Sequence, residues 1–156
     1  HCQRMGLGYG ICHFATSLDV EITHTVFQDN KHHIAGPGYP GTGFTARDNV
    51  VLQDTAANLA LDGSGPYGQD HLFDMHGGED RKDGTDIAGT RIIIRNNTFA
   101  CHHQAVNIRG VAEECADVRR NWFLPHAPGK TAVFAKGNLA YEDNMYGEDA
   151  ATARVE

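Results

Sequence analysis

Ile94-Arg95-Asn96-Asn97-Thr98-Phe99 decides the fold, because its pattern I-x-x-N-x-F recurs as Val118-Arg119-Arg120-Asn121-Trp122-Phe123. The distance from Asn97 to Asn121 sets a step. Weaker copies stand on either side. Ala46-Arg47-Asp48-Asn49-Val50-Val51 lies upstream, and Ile22-Thr23-His24-Thr25-Val26-Phe27 stands one step further back with Thr in the Asn place. Tyr141-Glu142-Asp143-Asn144-Met145-Tyr146 follows downstream, one position short of a full step. Val51 and Phe99 are separated by twice the step. A fixed period of roughly two dozen positions is the mark of a solenoid, in which each repeat buries its apolar side against the next.

Working outward, the pieces between copies are short apolar runs broken by Gly, Asn and Asp, which read as strands and turns. No segment sustains helical spacing for long enough to form a substantial helix. Within each repeat a second strand follows the phrase: Tyr9–His13, His32–Ala35, His71–His76, Ala105–Arg109 and Ala132–Lys136. Alternation along these strands points Phe73, Met75, Val106, Ile108, Val133 and Ala135 inward. It points Asp74, His76, Asn107, Arg109, Phe134 and Lys136 outward. Three Gly-, Pro- or charge-rich excursions interrupt the repeats at residues 36–43, 61–68 and 77–86. The first and last leave the same strand bank, so they are expected side by side on one flank, where a rigid scaffold carries binding loops.

Asn49, Asn97, Asn121 and Asn144 fall at equivalent places. Stacked Asn side chains satisfy turn backbone and bond to the next rung, about 4.8 Å away. On the I-x-x-N-x-F phrase, this Asn row and a coil length in the low twenties, the chain resembles the right-handed parallel β-helix repeat family over roughly Gly8 to Tyr146. Two stretches, His32-His33-Ile34-Ala35-Gly36 and Phe73-Asp74-Met75-His76-Gly77-Gly78, resemble uncharacterised secreted microbial members. The resemblance implies an all-β, right-handed parallel β-helix of five to six coils. It also implies a setting shared with pectate lyases, polygalacturonases and phage tailspikes. The same scaffold carries many chemistries, so the site must decide the function.

The 156 residues amount to one domain, and the chain opens inside what reads as a repeat, as expected of a fragment or processed piece of a longer protein. A formal charge of −7 disfavours nucleic acid as a partner. No apolar run is long enough to cross a bilayer as a helix. The four cysteines form no C-x-x-C pair, which argues against a zinc ribbon. A Cys101–Cys115 bridge and a core role for Cys12 are the simplest expectations. The architecture fits a secreted or cell-surface setting.

The outward face of the second strand bank collects the chemistry. One column holds His13, Pro37, His76, Arg109 and Lys136, and beside it run Ala35, Asp74, Asn107 and Phe134. A carboxylate, an imidazole and two cations on a flat face can grip an acidic polysaccharide and remove the proton at C5 of a uronate. That step needs a base and a positive charge to absorb the developing anion. His76 or Lys136 is the candidate base, Arg109 the counter-charge and Asp74 the group that orients His76. Asn107, His103 and His33 are the candidate substrate contacts.

The sequence holds ten histidines, among them the pairs His32-His33 and His102-His103. His33, His71, Asp74 and His76 are candidate ligands for a divalent transition metal, since imidazole and carboxylate suit such ions. Asp80, Asp83 and Asp86 around Gly84 have the composition of a calcium turn. A copper clamp at His1 is a further idea. Against the carbohydrate-active reading stand two rivals: a metal-binding His/Asp hydrolase, and a non-catalytic adhesive module that associates end to end through exposed strand edges.

Overall fold

A computed structural model describes residues 8–52, 71–101, 104–124 and 131–147, together with the backbone of the strand Ala151–Val155. A lead strand, β1 (Tyr9–Cys12), enters a series of three-strand coils. These are β2 (Val20–Thr23), β3 (Val26–Phe27) and β4 (His32–Gly36); then β5 (Gly43–Arg47), β6 (Val50–Leu52) and β7 (His71–Met75). They continue as β8 (Arg91–Arg95), β9 (Thr98–Ala100) and β10 (Gln104–Ile108), then β11 (Cys115–Arg119), β12 (Trp122–Phe123) and β13 (Thr131–Ala135). The last is β14 (Leu139–Ala140), β15 (Met145–Tyr146) and β16 (Ala151–Val155). One short helix, α1 (Gly78–Arg81), follows β7.

Every strand pairs in parallel with its counterpart one coil away. The sheets run β1-β4-β7-β10-β13-β16, β2-β5-β8-β11-β14 and β3-β6-β9-β12-β15. This is a right-handed parallel β-helix of about five coils, the hand that parallel crossovers take. Gly43 pairs directly with Arg91, and Val51 with Phe99. The doubled step between Val51 and Phe99 is therefore a single coil, as the two excursions within it lead one to expect.

The phrase works as a corner. The residue before its fourth position is left-handed in each coil, at His24, Asp48, Asn96, Arg120 and Asp143. A left-handed residue turns the chain sharply between two sheets. The following Asn then ties the rungs together. Asn121 Oδ1 accepts from Asn97 N–H and Nδ2 at 2.9 and 3.0 Å, while Asn97 Oδ1 accepts the same pair from Asn49 at 3.0 Å each. Asn144 serves Asn121 likewise. Each Nδ2 also donates to the carbonyl that opens the preceding phrase, as Asn97 does to Ala46. Where the coils place Thr25, its backbone N–H donates to Asn49 Oδ1 at 2.9 Å.

Inside, Ile22, Ala46, Ile94 and Val118 stack in one column, and Phe99, Phe123 and Tyr146 stack in another. Val51 breaks the aromatic column. Phe73, from the facing sheet, fills the gap by packing edge-on against both Phe27 and Phe99 at 5.7 and 5.0 Å.

Strict alternation does not hold at the start of the second strand bank. Leu72 and Phe73, Ala105 and Val106, and Ala132 and Val133 are consecutive residues that all lie in the core. Two neighbours pointing inward shift the pleat by one place, so His71 and Asp74 share the outer face despite their odd spacing. His33, a candidate substrate and metal residue, occupies the place of Leu72 and is fully buried. It packs on Phe27, and its Nδ1 lies 3.0 Å from Asn30 Nδ2.

Other expectations also change. Cys12 pairs with Ala35, so His13 falls beside Gly36, one place short of the outer column, and Phe14 takes the column position. His13 turns into the core against Phe44 and against Gly36, where a Cβ would sit 2.2 Å from its Nε2. Cys101 is buried and Cys115 half-buried with no bridge between them, and Cys12 is exposed rather than core. His1 and the excursion at 61–68 lie outside the described residues.

The excursions at 36–43 and 77–86 do meet. Arg81 donates to the carbonyls of Pro37, Gly38 and Ile87 at 3.0, 2.8 and 2.9 Å, and its guanidinium covers the Tyr39 ring at 4.9 Å. Gly38 makes this approach possible: it is left-handed, and a Cβ there would lie 1.7 Å from the His76 carbonyl.

Candidate active site on the outer strand face

Asp74 is the centre of the outer face. Its flanking residues Phe73 and Met75 are core, which sends its carboxylate outward, where neighbours roof it completely. Arg109, one rung away beside His76, closes on it with Nε to Oδ1 at 3.1 Å and Nη2 to Oδ2 at 2.6 Å. His76 Nε2 lies 3.2 Å from Oδ2, and His71 Nε2 lies 3.3 Å from Oδ1. Burial alone would raise the Asp74 carboxyl, but the His71 and His76 rings and the Arg109 guanidinium hold it well below the usual carboxylate range. Asp74 is a buried carboxylate anchor.

The expected convergence of Asp74, His76 and Arg109 is therefore what the rung spacing delivers. Several roles change. Arg109 is already matched, because Nη1 also reaches Asp80 Oδ1 at 3.0 Å. Asn107, expected to meet substrate, is buried with Nδ2 3.5 Å from Asp74. Lys136 Nζ stands 3.1 Å from Glu79 and 4.0 Å from Asp86, a cation in an ion pair rather than a base beside His76. His103 lies outside the described residues.

The acidic turn does not assemble a calcium cage. Asp80 faces Arg109 and accepts from Gly77 N–H at 3.2 Å, while Asp83 accepts from Arg81 and from the Thr85 amide and hydroxyl. Those donors hold the Asp83 carboxyl down to about 2. Asp86 points toward Lys136. Three carboxylates with three separate partners leave no shared centre.

Two features escape the sequence reading. His32 stands where His33 was expected, on the outer face: its ring stacks between Tyr9 and His71, and its Nδ1 lies 2.7 Å from the His71 carbonyl. The signal was present, since His32 precedes Ile34 as His71 precedes Phe73, its pairing partner. The second is a groove of about 220 Å³ beside His76, walled by Tyr9, Phe14, Pro37 and Tyr39 and floored by Gly36. Phe14 is 75% exposed and Tyr39 45%. His76, itself partly exposed, lines this groove.

Among the described residues, then, one face offers an oriented imidazole, an anchored carboxylate–guanidinium pair and an aromatic-walled groove. Comparison with protein-family models, curated proteins and solved structures finds no match for this chain.

Proposed function

We propose that this β-helix acts on a saccharide chain laid along the outer face of its six-stranded sheet, with His76 as the group that moves a proton. The observation that carries the reading is the His76 imidazole, held by Asp74 and opening onto a groove with aromatic walls. Nε2–H toward Asp74 leaves Nδ1 as the basic nitrogen, and a buried carboxylate stabilises the imidazolium formed when Nδ1 takes a proton. Exposed rings such as Tyr39 and Phe14 offer flat apolar surface to a sugar face with little loss of side-chain freedom.

Proton abstraction suits a single oriented base, so β-elimination from an acidic polysaccharide is the reaction proposed. Hydrolysis by paired carboxylates is less well served. Asp74 is sealed from substrate, and Asp80 is engaged with Arg109. Asp80 instead stands where a uronate carboxylate would bind. It takes only Arg109 Nη1, at a half-open pair that costs little to exchange, whereas Asp74 keeps the other two nitrogens. A substrate carboxylate replacing Asp80 also uncovers His76 Nδ1, which lies 3.8 Å from Asp80 Oδ2. A secreted setting accords with such a substrate.

The test is binding and turnover on a panel of neutral and uronate oligosaccharides. Asp80→Asn should tighten binding of the uronates and leave neutral chains unaffected. His76→Ala should abolish formation of unsaturated product without loss of fold. Absence of binding across the panel, with concentration-dependent filaments, would instead favour the adhesive module.

A further inference from the structure

We infer that His32, His71 and Asp74 form a binding site for a divalent first-row transition ion such as Zn2+. Their candidate ligand atoms all lie within 4.8 Å of one another, on adjacent strands of the outer face. The proposal shares Asp74 with the saccharide reading, in which neither His32 nor His71 takes part, so loss of metal at those two histidines tests this site alone.

Four observations carry it. First, the His32 tautomer is set. A ring nitrogen 2.7 Å from a backbone carbonyl must be the donor, so Nδ1 carries the hydrogen and Nε2 the lone pair. A histidine whose far nitrogen donates to a carbonyl is the usual second layer of a metal site, since it fixes the ring and raises the basicity of the ligating atom. Second, His71 Nε2 is buried from solvent and has no aligned hydrogen-bond partner. It lies 3.3 Å from Asp74 Oδ1. Two ligands each about 2.1 Å from one ion at a tetrahedral angle stand roughly 3.4 Å apart, close to that separation.

Third, the charges call for a cation. Asp74 and Asp80 are two carboxylates that share one guanidinium. Fourth, the donors are ordered in advance. The His32 and His71 rings stack at 4.5 Å, and Asp74 is clamped by Arg109 at both oxygens and by His76 at Oδ2. Two imidazoles and one carboxylate suit Zn, Fe, Mn or Ni, and they do not suit calcium, which takes oxygen ligands. Three protein ligands leave the fourth tetrahedral position to a water molecule.

The experiment uses the full chain, stripped with a chelator and titrated with Zn2+ by calorimetry, and with Co2+ to read coordination from its visible absorption. One equivalent should bind, with nitrogen-ligand bands for Co2+. His32→Ala and His71→Ala should each weaken Zn2+ binding by at least about tenfold. His24→Asn, an exposed histidine at a turn, should leave binding unchanged. Circular dichroism of the two alanine variants keeps loss of fold apart from loss of ligand, and Asp74→Asn adds the third arm where it folds. Binding of no stoichiometric ion overturns the site. So does Zn2+ affinity that survives His71→Ala, or that falls equally in His24→Asn.

Discussion

Arg109 holds Asp74 by two of its nitrogens, at 3.1 and 2.6 Å, and Asp74 is wholly buried. Removing the guanidinium leaves a charged carboxylate in the protein with only imidazoles and one amide near it. Arg109→Ala should therefore lower stability by about 3 kcal/mol, at the low end of the cost of breaking a buried pair because Arg109 itself reaches water. Urea unfolding checks this. The double variant Arg109→Ala, Asp74→Asn should lose less than the sum of the single losses, since the stranded charge is gone.

The asparagine row should weaken most at its middle. Asn97→Ala strands the buried Asn49 N–H and the Ala46 carbonyl together. Each such group costs about 1–3 kcal/mol, so a loss near 3 kcal/mol is expected in urea. Asn144→Ala, at a half-exposed rung where water can replace the side chain, should cost less than half as much.

Restoring the repeat's aromatic at Val51 should harm the protein. The space is already filled by Phe73, which touches Phe27 and Phe99 from the opposite sheet. Val51→Phe should destabilise by about 1–3 kcal/mol through overpacking. Combining it with Phe73→Leu should recover part of that loss, measured as the urea midpoint.

Two windows of acid sensitivity should be separable. Burial lowers the His13 pKa from 6.5, and both ring nitrogens lack hydrogen bonds. The unfolded chain then binds the proton more readily, so the contribution of His13 is whole above about pH 6.5 and is lost as pH falls through its lowered folded value. Asp117 is raised by burial but drawn down from 3.8 to about 2 by Arg119 and Arg95. Its contribution persists above about pH 4 and fades between there and pH 2. Unfolding midpoints across this range should show both declines, and His13→Leu should lessen the upper one, leaving the share of His32, which burial also lowers, and leave the lower one unchanged.

Arg81 should govern the flank loops. Its contacts to Pro37, Gly38, Ile87 and Asp83 join residues 37–42 to the turn after α1. Arg81→Ala should speed amide exchange at Thr42 and Gly89 while leaving the Asn97 and Asn121 amides protected, as hydrogen-exchange mass spectrometry would read.

The coil was legible because its signal is periodic. Ile94 and Val118, Phe99 and Phe123, and Asn97 and Asn121 recur at one spacing, and each recurrence is enforced by a contact between rungs. The outer face was only partly legible. Asp74, His76 and Arg109 follow from simple alternation after Phe73. His33 and His32 do not, because two consecutive inward residues at the strand start exchange their faces. The His-His pair alone does not tell which one turns in; only the alignment of Ile34 with Phe73, which sets His32 level with His71, does. The pairings of Arg109 with Asp80 and of Lys136 with Glu79 depend on how the charged turn folds back, which composition does not encode. Tyr39 and Phe14 become walls of one groove only through the rung that sets Phe14 beside Pro37.

Strands β5 and β8 pair residue for residue even though a doubled step separates Asn49 from Asn97, the asparagines that join their coils. The ladder thus takes no account of what is spliced in between, since lengthening a loop whose ends are already fixed adds little entropic cost. The tip at Gly84, left-handed and with nothing beyond its chain neighbours within 4 Å of where a side chain would begin, is a natural cassette boundary. New recognition segments could be exchanged there over an unaltered barrel of rungs, so that specificity and architecture evolve on separate parts of the chain.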